Sequence, residues 1–123
     1  MGLEYLDLVL IHWPTSILEQ PGPENRLNVW KAMEEFKEQG LVKSIGVSNF
    51  LVKHLEPFLA KIKHKPVVNE IETHPLFQEE ATIKLCQENG IRVISYAPLA
   101  TFDDKLMKSE VVLKLCEKYG KKP

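Results

Sequence analysis

Residues 41–62 read LVKSIGVSNFLVKHLEPFLAKI. The first nine, LVKSIGVSN, are mostly apolar or β-prone, as expected for a strand in the interior of a parallel sheet. The segment from Leu51 to Ile62 is predicted to be a helix. This stretch therefore predicts one strand followed by one helix, and the same unit recurs on both sides of it.

The repeats divide nearly the whole chain into strands and helices. The predicted strands cover 5–13, 41–49, 65–73 and 91–99, and the predicted helices cover 25–39, 51–62, 78–89 and 104–119. Gly40, Gly90 and Gly120 each follow a helix, where a residue in the left-handed conformation commonly ends it. Strands joined by helices must pair in parallel, so the class is α/β.

Buried parallel strands are apolar on both faces, which predicts that the apolar residues of all four strands are mostly buried. The residues expected to be buried are Leu8, Leu10, Ile45, Val47, Val68, Ile71, Val93 and Ile94.

Composition narrows the class of protein. The 123 residues are 44% apolar and are expected to form a single domain over 1–123. Lys and Arg number 16 against 17 Asp and Glu, without a clustered basic face, which argues against nucleic acid as a partner. No apolar run approaches the ~18 residues of a membrane span. Cys86 and Cys116 lie in helical patterns and predict neither a disulfide framework nor a metal site, so a reducing, cytoplasmic location is expected.

Polar or aromatic side chains follow each apolar strand: His12 and Trp13, Ser48 and Asn49, residues 69–72, and Tyr96. In open α/β sheets and in (β/α)8 barrels alike, function collects at the carboxyl ends of the strands. Contributions from four consecutive strands to one rim favour the barrel, and no G-x-G-x-x-G motif supports a dinucleotide-binding open sheet. A complete barrel needs about 250 residues, so four βα units are about half of one.

Four segments carry a family resemblance. LEYLDLVLIHWP (3–14), LVKSIGVSNF (41–50), KPVVNEIETHPLF (65–77) and GIRVISYAPLA (90–100) closely resemble, in order and separation, motifs of the aldo-keto reductases of the aldose reductase type. The resemblance implies a (β/α)8 barrel of the TIM type, represented from its fourth strand to its seventh helix. It also implies NAD(P)H-dependent reduction of aldehydes or ketones to alcohols, with a small carbonyl compound as substrate and NADPH as cofactor.

The resemblance assigns roles to individual residues. His12 would donate a hydrogen bond to the substrate carbonyl, and Trp13 would either wall the substrate pocket or fill core volume. Ser48 and Asn49 would hold the nicotinamide carboxamide, although both residue types also cap helices well. Tyr96 would stack on the nicotinamide ring, the alternative being an aromatic residue of the barrel core.

Two positions depart from the family pattern. Glu70 stands where the family usually has Gln in contact with the carboxamide. It can still accept a hydrogen bond, but its charge would favour the oxidised, cationic nicotinamide. After Tyr96 the usual pyrophosphate-binding serines are replaced, leaving Thr101 as a substitute with Asp103 and Asp104 nearby.

His12 is the single member of the family's catalytic tetrad found in these motifs. The Asp, Tyr and Lys come from the first three βα units of the family barrel, and the segment that binds the adenosine 2′-phosphate follows strand eight. We therefore expect this partial chain to be inactive alone. The alternative is a non-catalytic truncated barrel that acts as a nucleotide-binding or structural protein. Self-association through the open barrel edges is a further partner class.

Overall fold

The structure is a computed structural model that describes residues 2–15 and 23–123. Between the predicted strand 5–13 and the predicted helix 25–39, the prolines and glycine of the sequence indicate a loop, of which Pro21 and Gly22 lie outside the described residues. The strands are β1 (Leu6–Ile11), β2 (Val42–Ser48), β3 (Val68–Glu72) and β4 (Arg92–Tyr96). The helices are α1 (Pro23–Glu38), α2 (Val52–Leu59), α3 (Glu80–Glu88), α4 (Asp104–Met107) and α5 (Glu110–Tyr119), and a short 3₁₀ turn spans Ala100–Phe102.

The four strands form one sheet in the order β1-β2-β3-β4. Strands β1 and β2 pair in parallel with Ile11 opposite Val47, and β2 and β3 pair in parallel with Ser48 opposite Glu70. Strand order thus follows chain order, with helices between successive strands. The predicted α/β class is confirmed. Among the described residues, no helix combines the length and apolar character needed to cross a bilayer.

Three helices end just before the glycines that were predicted to end them. Gly40, Gly90 and Gly120 have φ angles of 75°, 72° and 61°, in the left-handed region that glycine enters without a steric penalty. Each follows the last turn of a helix, as the sequence predicts.

The prediction of one helix over 104–119 is wrong. Helix α4 ends at Met107, and a new helix, α5, begins after Ser109. The Ser109 hydroxyl accepts a hydrogen bond from the backbone N–H of Val112 at 3.4 Å, which is the capping contact of a helix start. The local capping preference of serine therefore interrupts the apolar pattern from which a continuous helix was predicted.

The chain forms two compact units, one of residues 1–71 and 80–94 and the other of residues 72–79 and 95–123. In the first unit, Trp30 and Phe58 pack edge to face with ring centroids 5.2 Å apart, and Phe50 lies 5.3 Å from Phe58. These rings form the centre of the core with other buried side chains: Met33, Val42, Ile45, Val47, Leu55, Cys86 and Ile91.

The second unit contains the turn at His74, the 3₁₀ turn and helices α4 and α5. The backbone of His74 pairs with that of Phe77, and the His74 Nδ1 accepts from the Leu76 N–H at 3.2 Å. Leu106 of α4 is buried, whereas α5 has no buried residue.

Burial of the strand residues differs from the prediction. Ile45, Val47 and Ile71 are buried as predicted, but Leu8 and Ile94 are each 40% exposed. Another three predicted core residues are half-buried: Leu10, Val68 and Val93. The helices of the first unit pack on the face of the strands that carries Ile45 and Val47. Residues that alternate onto the opposite face, such as Leu8, therefore remain partly accessible.

Gly46 lies on that opposite face, between two apolar side chains of the neighbouring strands. A Cβ atom built there would lie 2.6 Å from Leu10 Cδ2, 2.7 Å from Val68 Cγ2 and 2.9 Å from the Val68 carbonyl oxygen. The absence of a side chain at position 46 therefore lets Leu10 and Val68 approach each other across β2.

We expect Gly46→Ala to lower the free energy of unfolding by about 1–3 kcal/mol, because the backbone oxygen of Val68 cannot move away without disturbing the β2–β3 pairing. Ser44→Ala, two residues earlier in the same strand, is the control and should change stability by less than about 0.5 kcal/mol. Urea denaturation followed by circular dichroism measures both. Equal stability of the two variants would contradict the steric argument.

The loop that leads into β3 is held by a buried carboxylate. Glu34 of α1 is 9% exposed, and its Oε1 accepts from the backbone N–H of Lys63 at 2.9 Å and of His64 at 2.6 Å. It also accepts from the indole Nε1 of Trp30 at 3.2 Å. One oxygen thus accepts from three N–H groups, of which the indole also donates to the backbone carbonyl of His64 at 3.2 Å.

We expect Glu34→Ala to cost about 3 kcal/mol of stability, since two backbone amides and an indole lose a charged acceptor. Glu34→Gln keeps an oxygen acceptor and should cost less than half as much. The matched control is Glu35→Ala, an exposed residue in the same helix. Urea denaturation in which Glu34→Ala and Glu35→Ala behave alike would overturn this explanation.

Candidate active site

The carboxyl ends of β1, β2 and β3 bring three predicted site residues into one row. Ile11 pairs with Val47, so His12 follows β1 beside Ser48 at the end of β2. Ser48 pairs in turn with Glu70 of β3. All three residues belong to the first compact unit.

A set of short hydrogen bonds joins the members of this row. The Ser48 hydroxyl donates to the backbone carbonyl of Glu70 at 2.8 Å, and the Asn49 backbone N–H donates to the same oxygen at 2.9 Å. The Asn49 side-chain Nδ2 donates to the backbone carbonyl of His12 at 2.9 Å and approaches the Ser48 Oγ at 3.2 Å. Ser48 and Asn49 therefore tie β2 to the strands on both sides of it.

Asn49 has an unusual backbone conformation. Its φ angle is 61°, in the left-handed region, where a residue with a side chain is strained and asparagine is among the better tolerated types. The chain turns there, immediately after β2. The residues 48–50, which we term the β2 corner, thereby leave the direction of the strand before α2 begins.

The alternative role of Ser48 and Asn49 as helix caps is wrong. The N-cap of α2 is Leu51, and its backbone N–H donates to Nδ1 of His54 at 3.1 Å. Burial lowers the pKa of His54, and the charges of Arg26 and Lys53 lower it further. A neutral His54 can accept this bond, so the cap of α2 does not draw on the β2 corner.

His12 and Trp13 are both open to solvent. His12 is exposed, and Trp13 is 49% exposed. Their ring centroids lie 5.8 Å apart with planes tilted by 37°. Trp13 is therefore not buried among the described residues, and its two predicted roles, as a wall of the substrate pocket or as core volume, stay predictions.

Glu70 is half-buried, and it alternates with the buried Asn69 and Ile71. Its side chain consequently projects from the face of β3 opposite to the helices. Within residues 2–15 and 23–123, the structure shows no hydrogen bond or ion pair of the Glu70 carboxylate.

Tyr96 ends β4 and belongs to the second unit. Its side chain is half-buried, and its position relative to the other site residues stays a prediction.

The polar residues after Tyr96 form hydrogen bonds and an ion pair within their own segment of the chain. The Thr101 hydroxyl donates to the carbonyl of Ala100 at 2.7 Å. Asp103 accepts from the N–H of Lys105 at 2.7 Å, and Asp104 pairs with Lys108 at 2.6 Å. The two aspartates thus begin and stabilise α4.

Asn69 is a site neighbour to which the sequence assigned no role. It is fully buried, and its Nδ2 donates to the backbone carbonyl of Phe50, the last residue of the β2 corner, at 2.7 Å. The sequence did contain a signal for Asn69, because the alternation that buries Ile71 also buries Asn69 on the same face of β3. A polar side chain at such a position requires a partner.

Comparison with known proteins identifies the family. The profile of the Aldo/keto reductase family matches residues 1–118. The chain belongs to the aldo/keto reductase family. Methylglyoxal reductase of Salmonella typhimurium is 38% identical over 123 residues, covering 100% of this chain and 43% of that protein. D-galacturonate reductase of Hypocrea jecorina is 34% identical, covering 100% of this chain and 45% of that protein.

Solved structures agree. An aldo/keto reductase from Brucella melitensis superimposes with a TM-score of 0.87 at 35% identity, and the match covers 98% of this chain and 43% of that one. An aldo-keto reductase from Bombyx mori, solved in complex with NADP, gives 0.85 at 31% identity with the same coverage. The four βα units are therefore part of a (β/α)8 barrel, as predicted. The chain spans less than half the length of these aldo/keto reductases.

For this aldo/keto reductase chain, we expect Asn49→Gly to be more stable than Asn49→Ala by about 1 kcal/mol. Both variants lose the side-chain bond to His12, but only alanine keeps the penalty of a left-handed backbone. Thermal denaturation of the pair measures the difference. An alanine variant as stable as the glycine variant would mean that position 49 does not hold a positive φ in solution.

Proposed function

We propose that this chain provides the carbonyl-orienting histidine and the nicotinamide-binding rim of an NADPH-dependent aldo-keto reductase, which reduces aldehydes or ketones to alcohols. The observation that supports this most is the row of His12, Ser48 and Glu70 at three adjacent strand ends. Each strand places one polar group of the required type at the same rim, and hydrogen bonds through Asn49 fix their spacing.

In this proposal, His12 orients the substrate. An imidazole N–H donates a hydrogen bond to the carbonyl oxygen and so polarises the C=O bond, which makes the carbon a better hydride acceptor. The exposure of the His12 ring leaves room for a substrate beside it, and the exposed Trp13 supplies an apolar wall. The backbone of His12 is held through its carbonyl by Asn49, which fixes the point from which the ring extends.

The residues of the β2 corner suit a nicotinamide carboxamide, which has an NH₂ donor and a carbonyl acceptor. The Ser48 hydroxyl donates its proton to the backbone carbonyl of Glu70 and accepts from the Asn49 Nδ2, so its remaining lone pair would accept from the carboxamide NH₂. The Glu70 carboxylate is a second acceptor and projects from the face opposite to the helices. When bound, NADPH supplies the hydride. Ser48, Asn49 and Glu70 would hold its carboxamide so that one face of the ring points to the substrate.

The negative charge of Glu70 affects which redox state of the cofactor the site would prefer. An ionised carboxylate stabilises the cationic, oxidised nicotinamide more than the neutral, reduced form. We propose that the site therefore favours the oxidised cofactor more than a site with glutamine would.

Reduction of a carbonyl also needs a proton for the alcohol oxygen, and we propose that this chain does not supply it. Tyr5 precedes β1, at the amino end of the strand, where Lys43 lies 3.6 Å from its ring. Tyr119 is 62% exposed at the end of α5. Neither tyrosine follows the carboxyl end of a strand, and Tyr96, which ends β4, is assigned in this proposal to stack on the nicotinamide ring. Self-association through the sheet edges would duplicate His12 and Tyr96 without adding a further tyrosine.

We expect the purified chain to bind NADPH weakly and to show no aldehyde-dependent oxidation of it above background. General acid catalysis is worth about 10²–10⁴-fold, and in this proposal the chain lacks the group that would supply it. The measurements are an absorbance assay with a panel of aldehydes and ¹⁵N–¹H NMR titration with NADPH. Binding should shift the amide resonances of Ser48 and Asn49.

His12→Ala should leave NADPH binding within about twofold, because His12 is assigned to the substrate rather than to the cofactor. His64→Ala, distant in sequence from the row, is the control. Turnover that His12→Ala abolishes and His64→Ala preserves would show that the chain does contain a proton donor. Titration without any shift at the β2 corner would refute the nicotinamide site and favour a purely structural role.

A further inference from the structure

The β2 corner is held from inside the core by Asn69. This side chain is fully buried in the first unit, and its Nδ2 lies 2.7 Å from the carbonyl oxygen of Phe50. The same Nδ2 contacts the Sγ of Cys86, a buried residue of α3, at 3.6 Å. Asn69 therefore connects the corner to the helix that packs beneath it.

Three residues restrain the corner through four hydrogen bonds. Glu70 accepts from Ser48 and from the Asn49 N–H, and His12 accepts from the Asn49 side chain. Asn69 is the third residue, and it donates the fourth bond from the core. Since Asn49 is strained in its left-handed conformation, the corner keeps this shape only while its surroundings hold it.

The side-chain oxygen of Asn69 destabilises the folded state. This Oδ1 is buried and has no hydrogen-bond partner among the residues that the structure describes. A buried acceptor without a partner destabilises the folded state. The surroundings offer little compensation, because burial raises the pKa of Cys86 and its thiol is only a weak donor. The strong contact that the amide makes is the donation to Phe50.

We propose that Asn69 is a positioning residue for the nicotinamide site, and this inference rests on the function proposed above. Asn69 does not touch the cofactor. By holding the Phe50 carbonyl, it keeps the β2 corner in the conformation that aims Ser48 and Asn49 at the carboxamide. Loss of the Asn69 donor lets the strained corner relax, and the nicotinamide then binds a displaced set of groups.

The test compares matched truncations in the same strand. Asn69→Ala removes the donor, whereas Ile71→Ala removes a buried side chain two residues later on the same face, and this side chain has no hydrogen-bonding group. Titration of each folded variant with NADP⁺ by NMR gives the dissociation constant. We expect Asn69→Ala to weaken binding about tenfold, as for the loss of one hydrogen bond. Ile71→Ala should stay within about twofold.

A second variant separates the donor from the packing. Asn69→Asp keeps the size of the side chain, but its ionised carboxylate cannot donate. At low pH the neutral carboxyl can donate to Phe50, so NADP⁺ affinity should recover toward that of the unmodified chain measured at the same pH. Circular dichroism at each pH measures the folded fraction, because a buried carboxylate also destabilises the fold. Affinity that recovers at constant folded fraction supports the proposal, and affinity that only follows refolding contradicts it.

Failure of the proposed function and failure of this inference alone give different results. Absence of NADP⁺-induced shifts at the β2 corner of the unmodified chain overturns the proposed function, and this inference with it. Equal affinities of Asn69→Ala and Ile71→Ala overturn the inference alone. If the Asn69 variants do not fold, the side-chain amide of Asn69 in the unmodified chain decides. It should shift together with Asn49 during titration, and an unchanged Asn69 signal counts against the proposal.

Discussion

The backbone carbonyl oxygen of Glu70 accepts two hydrogen bonds, from the Ser48 hydroxyl and the Asn49 N–H, and the rim of the sheet depends on this oxygen. It continues the pairing of β2 and β3 by one step after β2 has ended. The polypeptide can then turn sharply without separating the two strands. This turn directs the side-chain amide of Asn49 toward β1, where it donates a hydrogen bond to the backbone carbonyl of His12. Three strand ends are thus joined by groups of two adjacent residues.

Much of this arrangement could be predicted from the sequence because it is local or periodic. Alternating strand and helix patterns imply parallel pairing, and the glycines after the helices act through their own backbone. The position of His12 beside Ser48 follows once parallel strands share a carboxyl edge. Predictions failed where a local preference competed with the periodic pattern. Ser109 begins a new helix inside an apolar repeat, and Leu51 rather than Ser48 or Asn49 caps α2.

The remaining features depend on contacts between residues far apart in the chain. In the sequence, nothing distinguishes Glu34 from the other acidic residues of its helix. Its role depends on the fold, which brings the amides of Lys63 and His64 to its carboxylate. The link from Asn69 to Phe50 likewise requires the register of β2 and β3. The exposure of Leu8 could not be predicted from an apolar strand alone, because it depends on which face the helices cover. Sequence patterns identify the elements, whereas these contacts arise only when the elements are assembled.

The two tryptophans of the chain occupy opposite environments, which gives the molecule a built-in optical readout. Trp30 is fully buried against the ring of Phe58, so we expect its fluorescence to be that of an apolar interior and to change when the core opens. Trp13 is half-exposed beside the His12 ring, so we expect the emission of a solvated indole. Opening of the core should therefore change the emission of Trp30, whereas a change at the rim should change that of Trp13.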